Sequence, residues 1–386
     1  MFDRLIKNRL LKLLQKTQYG TIDIQAPDNT KFHMKGQHDG HHASFILHDW
    51  RVIVNLILKG DVGFAEDYRD GYFETDNLLG LLNFGLQNEH LFSSYAHGNI
   101  IFKLFSKLLY LTKRNSLNGS KNNIKAHYDL GNNFYQLWLD PSMTYSSAIF
   151  NTDAKDITSA QHYKYDRLLD KIQKPCAKIL EVGCGWGGFM ERAINRQHSV
   201  KGITLSHQQL EYAQKRLQNT DAVVALEDYR HQNDSYDYIV SIEMLEAVGK
   251  KYWSVYFKKL KQLLKPGGKI LLQTITIRDD LFDEYDKNAD MIRTFIFPGG
   301  LLPSEQKITH ELKKNNLVCN EIFRFGHDYA TTLTVWLDKF KTKINDMKNI
   351  GFGGEFIRLW EFYLCGCIAG FNSQRVNVVQ MDISHG

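Results

Sequence analysis

Short apolar runs and helical patterns alternate along residues 125–386. Strands are predicted where a short apolar run is bounded by turn residues, and helices where apolar residues recur every three or four positions. The predicted strands are residues 177–182, 199–205, 223–226, 238–242 and 269–277. The predicted helices are residues 188–195, 207–218 and 252–264. This alternation predicts an α/β fold with a doubly wound sheet.

The first part of the chain has a different pattern. Apolar residues of the segment 2–16 fall on one helical face, with most bases opposite: Phe2, Leu5, Ile6, Leu10, Leu13 and Leu14. Such a helix either lies on a membrane surface or packs on the protein with a solvated basic face. Alternation in residues 45–47 and 52–57 predicts strands, and residues 60–63 and 69–71 predict turns. A smaller N-terminal α+β domain is therefore expected.

A polar stretch containing Gly and Ser separates the two patterns. Such a composition is typical of a linker. We therefore predict an N-terminal domain over residues 1–114, a linker over 115–124 and a second domain over 125–386.

The charges are unevenly distributed over the 386 residues, which hold 48 Lys and Arg against 43 Asp and Glu. Residues 1–16 hold five basic residues and one acidic residue, and residues 101–125 hold six basic residues and no acidic one. The remainder is mildly acidic. Two basic patches on an acidic body favour an anionic surface as partner.

Composition excludes several classes of protein. No apolar run reaches 18 residues, and Lys12 and Gln15 interrupt the apolar residues of the N-terminus, so neither a transmembrane helix nor a secretory signal is expected. Five cysteines fit no disulfide framework, which favours the cytoplasm. Cys365-x-Cys367 lacks a second metal-ligand pair, and His38-x-x-His41-His42 is interpreted as a polar surface loop. No metal is predicted.

The strongest motif is Gly183-x-Gly185-x-x-Gly188, which follows a predicted strand and opens a predicted helix. It fits the dinucleotide-binding fingerprint, which requires an acid about 20 residues later to bind the ribose. The next strand ends at Thr204-Leu205-Ser206 without an acid, so NAD is disfavoured. Glu181 resembles instead the acid that opens the glycine motif of class I S-adenosylmethionine (SAM) methyltransferases.

Further motifs in register along nearly the whole chain resemble the cyclopropane fatty acid synthases and related lipid-modifying SAM methyltransferases. These motifs are residues 60–66, 68–72, 127–132, 145–146, 180–188, 202–206, Gln209, 228–230, 296–303 and Tyr329. The resemblance implies a class I methyltransferase fold and a homodimer. It also implies a SAM site formed by Tyr145, Ser146, Gly183, Cys184, Gly185, Gly187, Thr204, Leu205, Gln209, Asp228 and Tyr229.

The resemblance implies methylene transfer from SAM to the cis double bond of a phospholipid acyl chain. The methylated chain is a carbocation, and a base, thought to be a bound bicarbonate in the family, removes a proton so that a cyclopropane ring closes. The implied catalytic residues are Glu246, Tyr329, Gln273, Ser147 and Ile275. Cys367 matches a cysteine proposed as a nucleophile in the family, although transfer of an electrophilic methyl group needs no thiolate.

Two positions depart from the family's anion site. Gln273 stands where the family has His, and Ser147 where it has Cys. Both side chains can still hydrogen-bond an anion. Glu243 adds a second carboxylate close to Glu246, as an alternative base or as a solvated acid at a strand end.

Two other functions are compatible with the sequence. With the altered anion site, the carbocation could yield a methyl-branched or methylene chain instead of a ring. A non-catalytic lipid-binding protein would keep the fold without turnover. Nucleic-acid methylation is disfavoured, because Ser241-Ile242-Glu243-Met244 replaces the motif of base methyltransferases. We expect a cytoplasmic enzyme, peripheral to the inner face of an anionic membrane, whose N-terminal domain serves lipid docking and dimerisation.

Overall fold

The computed structural model describes residues 2–92, 130–154 and 156–386, which belong to two compact units. The first unit comprises residues 1–112, 284–296 and 344–373. The second comprises residues 113–283, 297–343 and 374–386. Both units are therefore discontinuous in sequence. Two segments that the sequence assigned to the domain 125–386 belong to the first unit, and the expected linker 115–124 lies outside the described residues.

The N-terminal residues form five helices and four strands up to residue 92. The helices are α1 (Phe2–Leu14), α2 (Arg51–Lys59), α3 (Asp61–Arg69), α4 (Leu78–Gln87) and α5 (Glu89–Phe92). The strands are β1 (Tyr19–Gln25), β2 (Lys31–Lys35), β3 (His38–Leu47) and β4 (Phe73–Glu74).

Helices and strands alternate through the remaining described residues. The helices are α6 (Asn132–Trp138), α7 (Ile157–Leu169), α8 (Gly188–Asn195), α9 (His207–Arg216), α10 (Trp253–Leu263), α11 (Asp279–Lys287), α12 (Glu305–Lys314), α13 (Gly326–Thr342), α14 (Ile344–Asn349) and α15 (Gly354–Asn372). The strands are β5 (Lys178–Val182), β6 (Ser199–Thr204), β7 (Val223–Leu226), β8 (Tyr236–Ile242), β9 (Leu264–Ile277), β10 (Leu317–Arg324) and β11 (Val376–His385).

The second unit is built on one seven-stranded sheet in the order β10-β11-β9-β8-β5-β6-β7. Strands β5 to β9 run parallel, and β11 pairs antiparallel with both β9 and β10. The predicted doubly wound α/β sheet is thus confirmed. The strand order reverses at β5, which lies between β6 and β8. A crevice outside the carboxyl ends of the strands at such a point is the usual ligand site of these sheets.

The first unit contains a four-stranded sheet in the order β2-β1-β3-β4, together with helices. This confirms the smaller α+β domain. The strand predicted over residues 52–57 is wrong, because these residues lie in α2. Their β-branched side chains favour a strand locally. However, Asp49 accepts a hydrogen bond from the Arg51 N–H at 2.8 Å at the start of the helix, and Val52 and Ile53 are buried together.

Helix α1 packs on the protein. Ile6, Leu10 and Leu14 are buried, and Lys7 forms an ion pair of 2.7 Å with Asp28. The apolar face that could have entered a bilayer is thus largely covered by the first unit. Of the two interpretations of this helix, the structure favours the packed helix with a solvated basic face.

The histidine-rich segment is also different from the expected loop, because His38, His41 and His42 lie in strand β3 with exposed side chains. Within residues 2–92, 130–154 and 156–386, no group of three His, Cys, Asp or Glu side chains could hold a metal ion. No helix in those same ranges is long and apolar enough to cross a membrane.

Gly202 in β6 provides a test of the packing around this strand of the sheet. A Cβ atom at this position would lie 2.8 Å from the Cβ of Cys184 and would overlap the sulfur of Met190. We expect Gly202→Ala to lower the free energy of unfolding of the second unit by about 1–3 kcal/mol, because overpacked cores are strained. Denaturant unfolding measures the change. Val255→Ala, at a position 48% exposed on α10, is the control and should change stability by less than about 0.5 kcal/mol. Equal stability of the two variants would contradict the packing described.

Candidate active site

The glycine loop connects β5 to α8 at the point where the strand order reverses. Gly183 and Gly185 have φ values of 82° and 51°, which side chains rarely allow. The N–H groups of Gly183 and Cys184 both donate to the carbonyl of Ile203 at 3.0 Å, and this ties the loop to the end of β6. The backbone is therefore fixed and open to close approach by a ligand.

One cavity beside this loop collects most of the residues that the sequence assigned to SAM. The residues in its wall are Tyr145, Ser146, Gly183, Cys184, Gly185, Thr204, Leu205, Gln209, Asp228 and Tyr229. Gly187 is not part of the lining. A Cβ atom there would lie 3.3 Å from the Cβ of Ala213, so this glycine serves the contact of the loop with α9.

Glu181 lines the cavity and is only 3% exposed. Among the described residues, its Oε2 atom has no hydrogen-bond partner. Burial raises the pKa of this carboxyl well above its usual range. A buried polar atom without a partner is costly. A cationic or hydrogen-donating group of a ligand would satisfy it.

Another part of the cavity wall is held by side-chain hydrogen bonds. The Thr204 hydroxyl donates to the Gln209 amide oxygen at 2.7 Å, and Ser206 caps α9 by accepting from the Gln209 N–H. Asp228 receives two hydrogen bonds from the Arg230 guanidinium at 2.8 and 2.6 Å. Although burial acts to raise the pKa of Asp228, these bonds outweigh it and the pKa is lowered. Two fixed polar positions thus face the cavity.

Aromatic rings surround Tyr145. The centroid of its ring lies 5.4 Å from that of Tyr135, 5.5 Å from that of Trp138 and 5.4 Å from that of Trp336. Ring faces carry negative potential and attract cations. Among these rings only Tyr145 lines the cavity, and the other three are buried behind it and fix its position.

Glu243 also lines the cavity, immediately after β8. Its Oε1 atom accepts hydrogen bonds from the Ser147 N–H and the Gln273 amide, both at 2.9 Å. Its Oε2 atom accepts from the Tyr329 hydroxyl at 2.7 Å. Three of the predicted catalytic residues thus converge on a carboxylate that the sequence considered only as an alternative base. Glu243 is thus a partly buried carboxyl group held by three hydrogen bonds.

The departures at Gln273 and Ser147 have a simple explanation in this arrangement. The Gln273 oxygen accepts from the amide of Gln380 at 3.0 Å, which directs its own amide hydrogens toward Glu243. The Ser147 hydroxyl donates to the Ala148 carbonyl, so that only the backbone N–H of Ser147 contacts Glu243. The side chain at position 147 is therefore not constrained by this contact.

Glu246 lies in a short turn, Leu245–Ala247, close to Glu243. Its Oε1 atom accepts from the Ile275 N–H at 2.5 Å, while its Oε2 atom is buried without a partner among the described residues. Burial and, secondly, the negative charge of Glu243 raise the pKa of Glu246 to about 8. Glu246 is therefore protonated at neutral pH, with a proton available at Oε2.

Lys164 and Gln161 are parts of the site that the sequence did not reveal. Lys164 is fully buried on α7, and its ammonium donates to the Ser146 hydroxyl at 2.6 Å. Burial lowers the pKa of Lys164 to about 7, against the opposing charges of Glu243, Asp140 and Glu181. The Gln161 amide donates to the Ser146 carbonyl at 2.8 Å. Together they fix the Tyr145–Ser146 segment. In the sequence, the only sign of Lys164 and Gln161 is that each is a polar residue on the buried face of a helix.

Cys367 belongs to a different unit from the other predicted site residues. It lies on α15, which belongs to the first unit, whereas the other predicted site residues belong to the second. Burial raises the pKa of its thiol, which disfavours the thiolate that a nucleophile requires.

The chain is similar to known lipid-modifying enzymes. Residues 115–381 match the family model of mycolic acid cyclopropane synthetase. The cyclopropane-fatty-acyl-phospholipid synthase of Escherichia coli K12 is 36% identical over 342 residues, which cover 86% of this chain and 85% of that protein. The tuberculostearic acid methyltransferase UfaA1 of Mycobacterium tuberculosis is also 36% identical and covers 98% of this chain, with 90% of its own length matched.

Solved structures agree with these sequence matches. The cyclopropane synthase MmaA2 from Mycobacterium tuberculosis superposes with a TM-score of 0.63 at 30% identity, covering 68% of this chain and 97% of that one. The mycolic acid cyclopropane synthase CmaA1, in complex with SAH and CTAB, gives a TM-score of 0.64 at 31% identity and the same two coverages.

The protonated state of Glu246 predicts a pH dependence of stability. Between its usual pKa of 4.5 and its folded pKa of about 8, the folded state binds a proton that the unfolded state has lost. This contribution to stability is complete below pH 4.5 and declines by up to about 1.4 kcal/mol for each pH unit through that window. We expect Glu246→Gln, which keeps a neutral side chain, to remove this part of the decline. Thermal unfolding between pH 5 and pH 8 measures it.

The control for this experiment is Glu211→Gln, which changes an exposed carboxyl on α9. Its pH profile should run parallel to that of the wild type. If the Glu246→Gln profile is also parallel, Glu246 titrates as an ordinary carboxyl and its assignment as a buried neutral acid is wrong.

Proposed function

This chain belongs to the mycolic acid cyclopropane synthetase family, and we propose that it transfers a methylene group from SAM to the cis double bond of unsaturated phospholipid acyl chains. One observation carries the proposal: a single cavity is lined by the glycine loop, by Glu181, whose Oε2 atom has no hydrogen-bond partner within the described part of the chain, and by the hydrogen-bonded Glu243. A cofactor site and a site for acid–base chemistry thus share one cavity.

The residues in the cavity fit SAM. The Glu181 carboxylate would accept from the ammonium of its methionine part, next to Tyr145 and Ser146. Thr204, Leu205 and Gln209 would hold the ribose, and Asp228 and Tyr229 the adenine. When bound, SAM supplies an electrophilic methyl group. The chain's own contribution is to bind and orient the reactants and to accept a proton.

Ring closure requires a base, and the predicted catalytic residues Tyr329, Gln273 and Ser147 all contact Glu243. Glu246 and Ile275 form the adjoining hydrogen bond. The bicarbonate that the family resemblance implies is the alternative base for this step.

Purified protein, SAM labelled in its methyl group and vesicles of dioleoyl phosphatidylglycerol test the activity. Label in the acyl chains supports the proposal. No label in the lipid under any condition, together with tight SAM binding, would instead favour the non-catalytic lipid-binding protein.

A second product is compatible with the relative UfaA1, which is named a tuberculostearic acid methyltransferase. A 1,2-hydride shift would move the positive charge onto the methyl-bearing carbon, and loss of a methyl proton would then leave a methylene branch on the acyl chain. The two products are isomers. Mass spectrometry of the fatty acid esters before and after mild hydrogenation separates them, because the methylene branch takes up hydrogen and the ring resists it.

The partnership of Glu181 with a cationic group predicts an effect on affinity. Glu181→Gln keeps the shape of the side chain but removes its charge. Because hydrogen bonds to charged groups contribute about 1.5–3 kcal/mol, we expect the Kd for S-adenosylhomocysteine to rise about 10- to 100-fold. Isothermal titration calorimetry measures it. Glu211→Gln is the control and should bind as the wild type does, and an unchanged Kd for both variants would exclude Glu181 as a ligand.

We further propose that the protein docks as a peripheral enzyme, and as a homodimer, on anionic membrane surfaces of the cytoplasm. The support is the distribution of charge, with exposed bases on α1 and a basic run over residues 101–125, which lie outside the described residues. Each base near an anionic surface contributes at most about 1 kcal/mol. Light scattering after size exclusion tests the dimer.

Neutralising four bases of the basic run tests the docking surface. The changes are Lys103→Gln, Lys107→Gln, Lys113→Gln and Arg114→Gln. We expect cosedimentation with phosphatidylglycerol vesicles to weaken at least tenfold, because the attraction to anionic headgroups is lost, while the affinity for S-adenosylhomocysteine is unchanged.

The control variant loses the same charge from four exposed lysines elsewhere on the described surface. These changes are Lys215→Gln, Lys258→Gln, Lys313→Gln and Lys348→Gln. If both variants bind vesicles equally, the basic run is only a solvated face.

A further inference from the structure

We infer that the carboxylate of Glu243 is the base that removes the proton from the methylated acyl chain, so that the reaction needs no external anion. This inference rests on the proposed function and assigns its proton acceptor to a side chain of this protein. The sequence alone left Glu243 undecided between a base and a strand-end acid.

The position of Glu243 is fixed by donors from three separate elements. The Ser147 N–H and the Gln273 amide, from the segment before α7 and from β9, bind Oε1 at 2.9 Å each. The Tyr329 hydroxyl, from α13, binds Oε2 at 2.7 Å. Among the described residues, Oε2 accepts only this one hydrogen bond. A carboxylate oxygen accommodates two, so Oε2 can accept a proton.

The backbone provides a second, independent observation. Glu243 has a φ of 50°, in the left-handed region that favours glycine. Backbone strain of this kind persists where the surrounding contacts impose it, and it clusters at functional sites. Here the strain turns the side chain from the end of β8 into the ring of donors on the cavity wall.

The charges around Glu243 explain why it, and not Glu246, accepts the proton. Glu246 is protonated at neutral pH and can only donate at its free oxygen. Burial raises the pKa of Glu243 overall, against the charge of Lys164 and three hydrogen bonds, which favour its ionised form. A carboxyl group whose pKa is raised by burial is, once ionised, a stronger base than one in water.

The step balances in atoms and electrons. The π pair of the acyl double bond forms a bond to the incoming methyl carbon, whose former bond pair stays on the leaving sulfur, and the other acyl carbon becomes positive. Oε2 of Glu243 then takes a proton from the new methyl group. The released C–H pair closes the ring onto the positive carbon, and Glu243 becomes a neutral carboxylic acid.

Two substitutions test the base. Glu243→Gln keeps the size and removes the basicity. Because a general base contributes about 10²–10⁴-fold to a rate, we expect kcat to fall at least 100-fold, with the Kd for S-adenosylhomocysteine changed less than threefold in calorimetry. Glu243→Gly relieves the positive φ and leaves space for a small acid. We expect formate or bicarbonate at tens of millimolar to restore its activity at least tenfold.

The wild type provides a third test. In buffer purged of carbon dioxide, the wild-type enzyme should keep its full rate, and its kcat should fall at acidic pH as Glu243 becomes protonated. In the rescued Glu243→Gly variant, the fall of kcat at acidic pH should instead follow the protonation of the added acid. Glu211→Gln, an exposed carboxyl on α9, is the matched control and should behave as the wild type in every assay.

The outcomes are distinct. More than a tenth of the wild-type kcat in Glu243→Gln, no rescue of folded Glu243→Gly, or a wild type that requires bicarbonate would each overturn the inference. Circular dichroism and S-adenosylhomocysteine binding show whether a variant is folded. If the wild type itself labels no lipid, the proposed function fails, and that result is separate from any effect of Glu243.

Discussion

Two neighbouring, partly buried carboxyl groups impose the main constraint on this site. Two negative charges in a poorly solvated place repel each other, so one group is neutral and the other must be compensated. Glu246 takes the neutral role next to the Ile275 N–H. Glu243 takes the compensated role among Ser147, Gln273 and Tyr329. The surrounding helices and strands are arranged so that these donors meet at the carboxyl edge of the sheet.

The same constraint extends into the outer layers of the second unit. Gln273 can donate to Glu243 because Gln380 of β11 occupies its oxygen, and Tyr329 is placed by α13. Lys164 balances the acids from α7 and at the same time holds Ser146. A change in any of these elements therefore alters the charge state at the centre.

Much of this could be predicted from the sequence because local patterns determine it. The strands and helices around the glycine loop follow apolar periodicity, and ten of the residues assigned to SAM line one cavity. The failures have non-local causes. Residues 52–57 have strand-like side chains but form α2, and the role of Glu243 depends on partners about 30 to 100 positions away. Neither could be read from neighbouring residues.

The discontinuous first unit has a consequence for any shortened form of the protein. The family match begins at residue 115, yet α15 packs its Phe362 against the rings of Phe64 and Tyr68, and Arg358 donates to the Tyr68 carbonyl. A truncation at residue 115 would remove these partners and leave an apolar helix face bare. The start of the family match is thus not a boundary of folding, and a fragment cut there would be prone to aggregate.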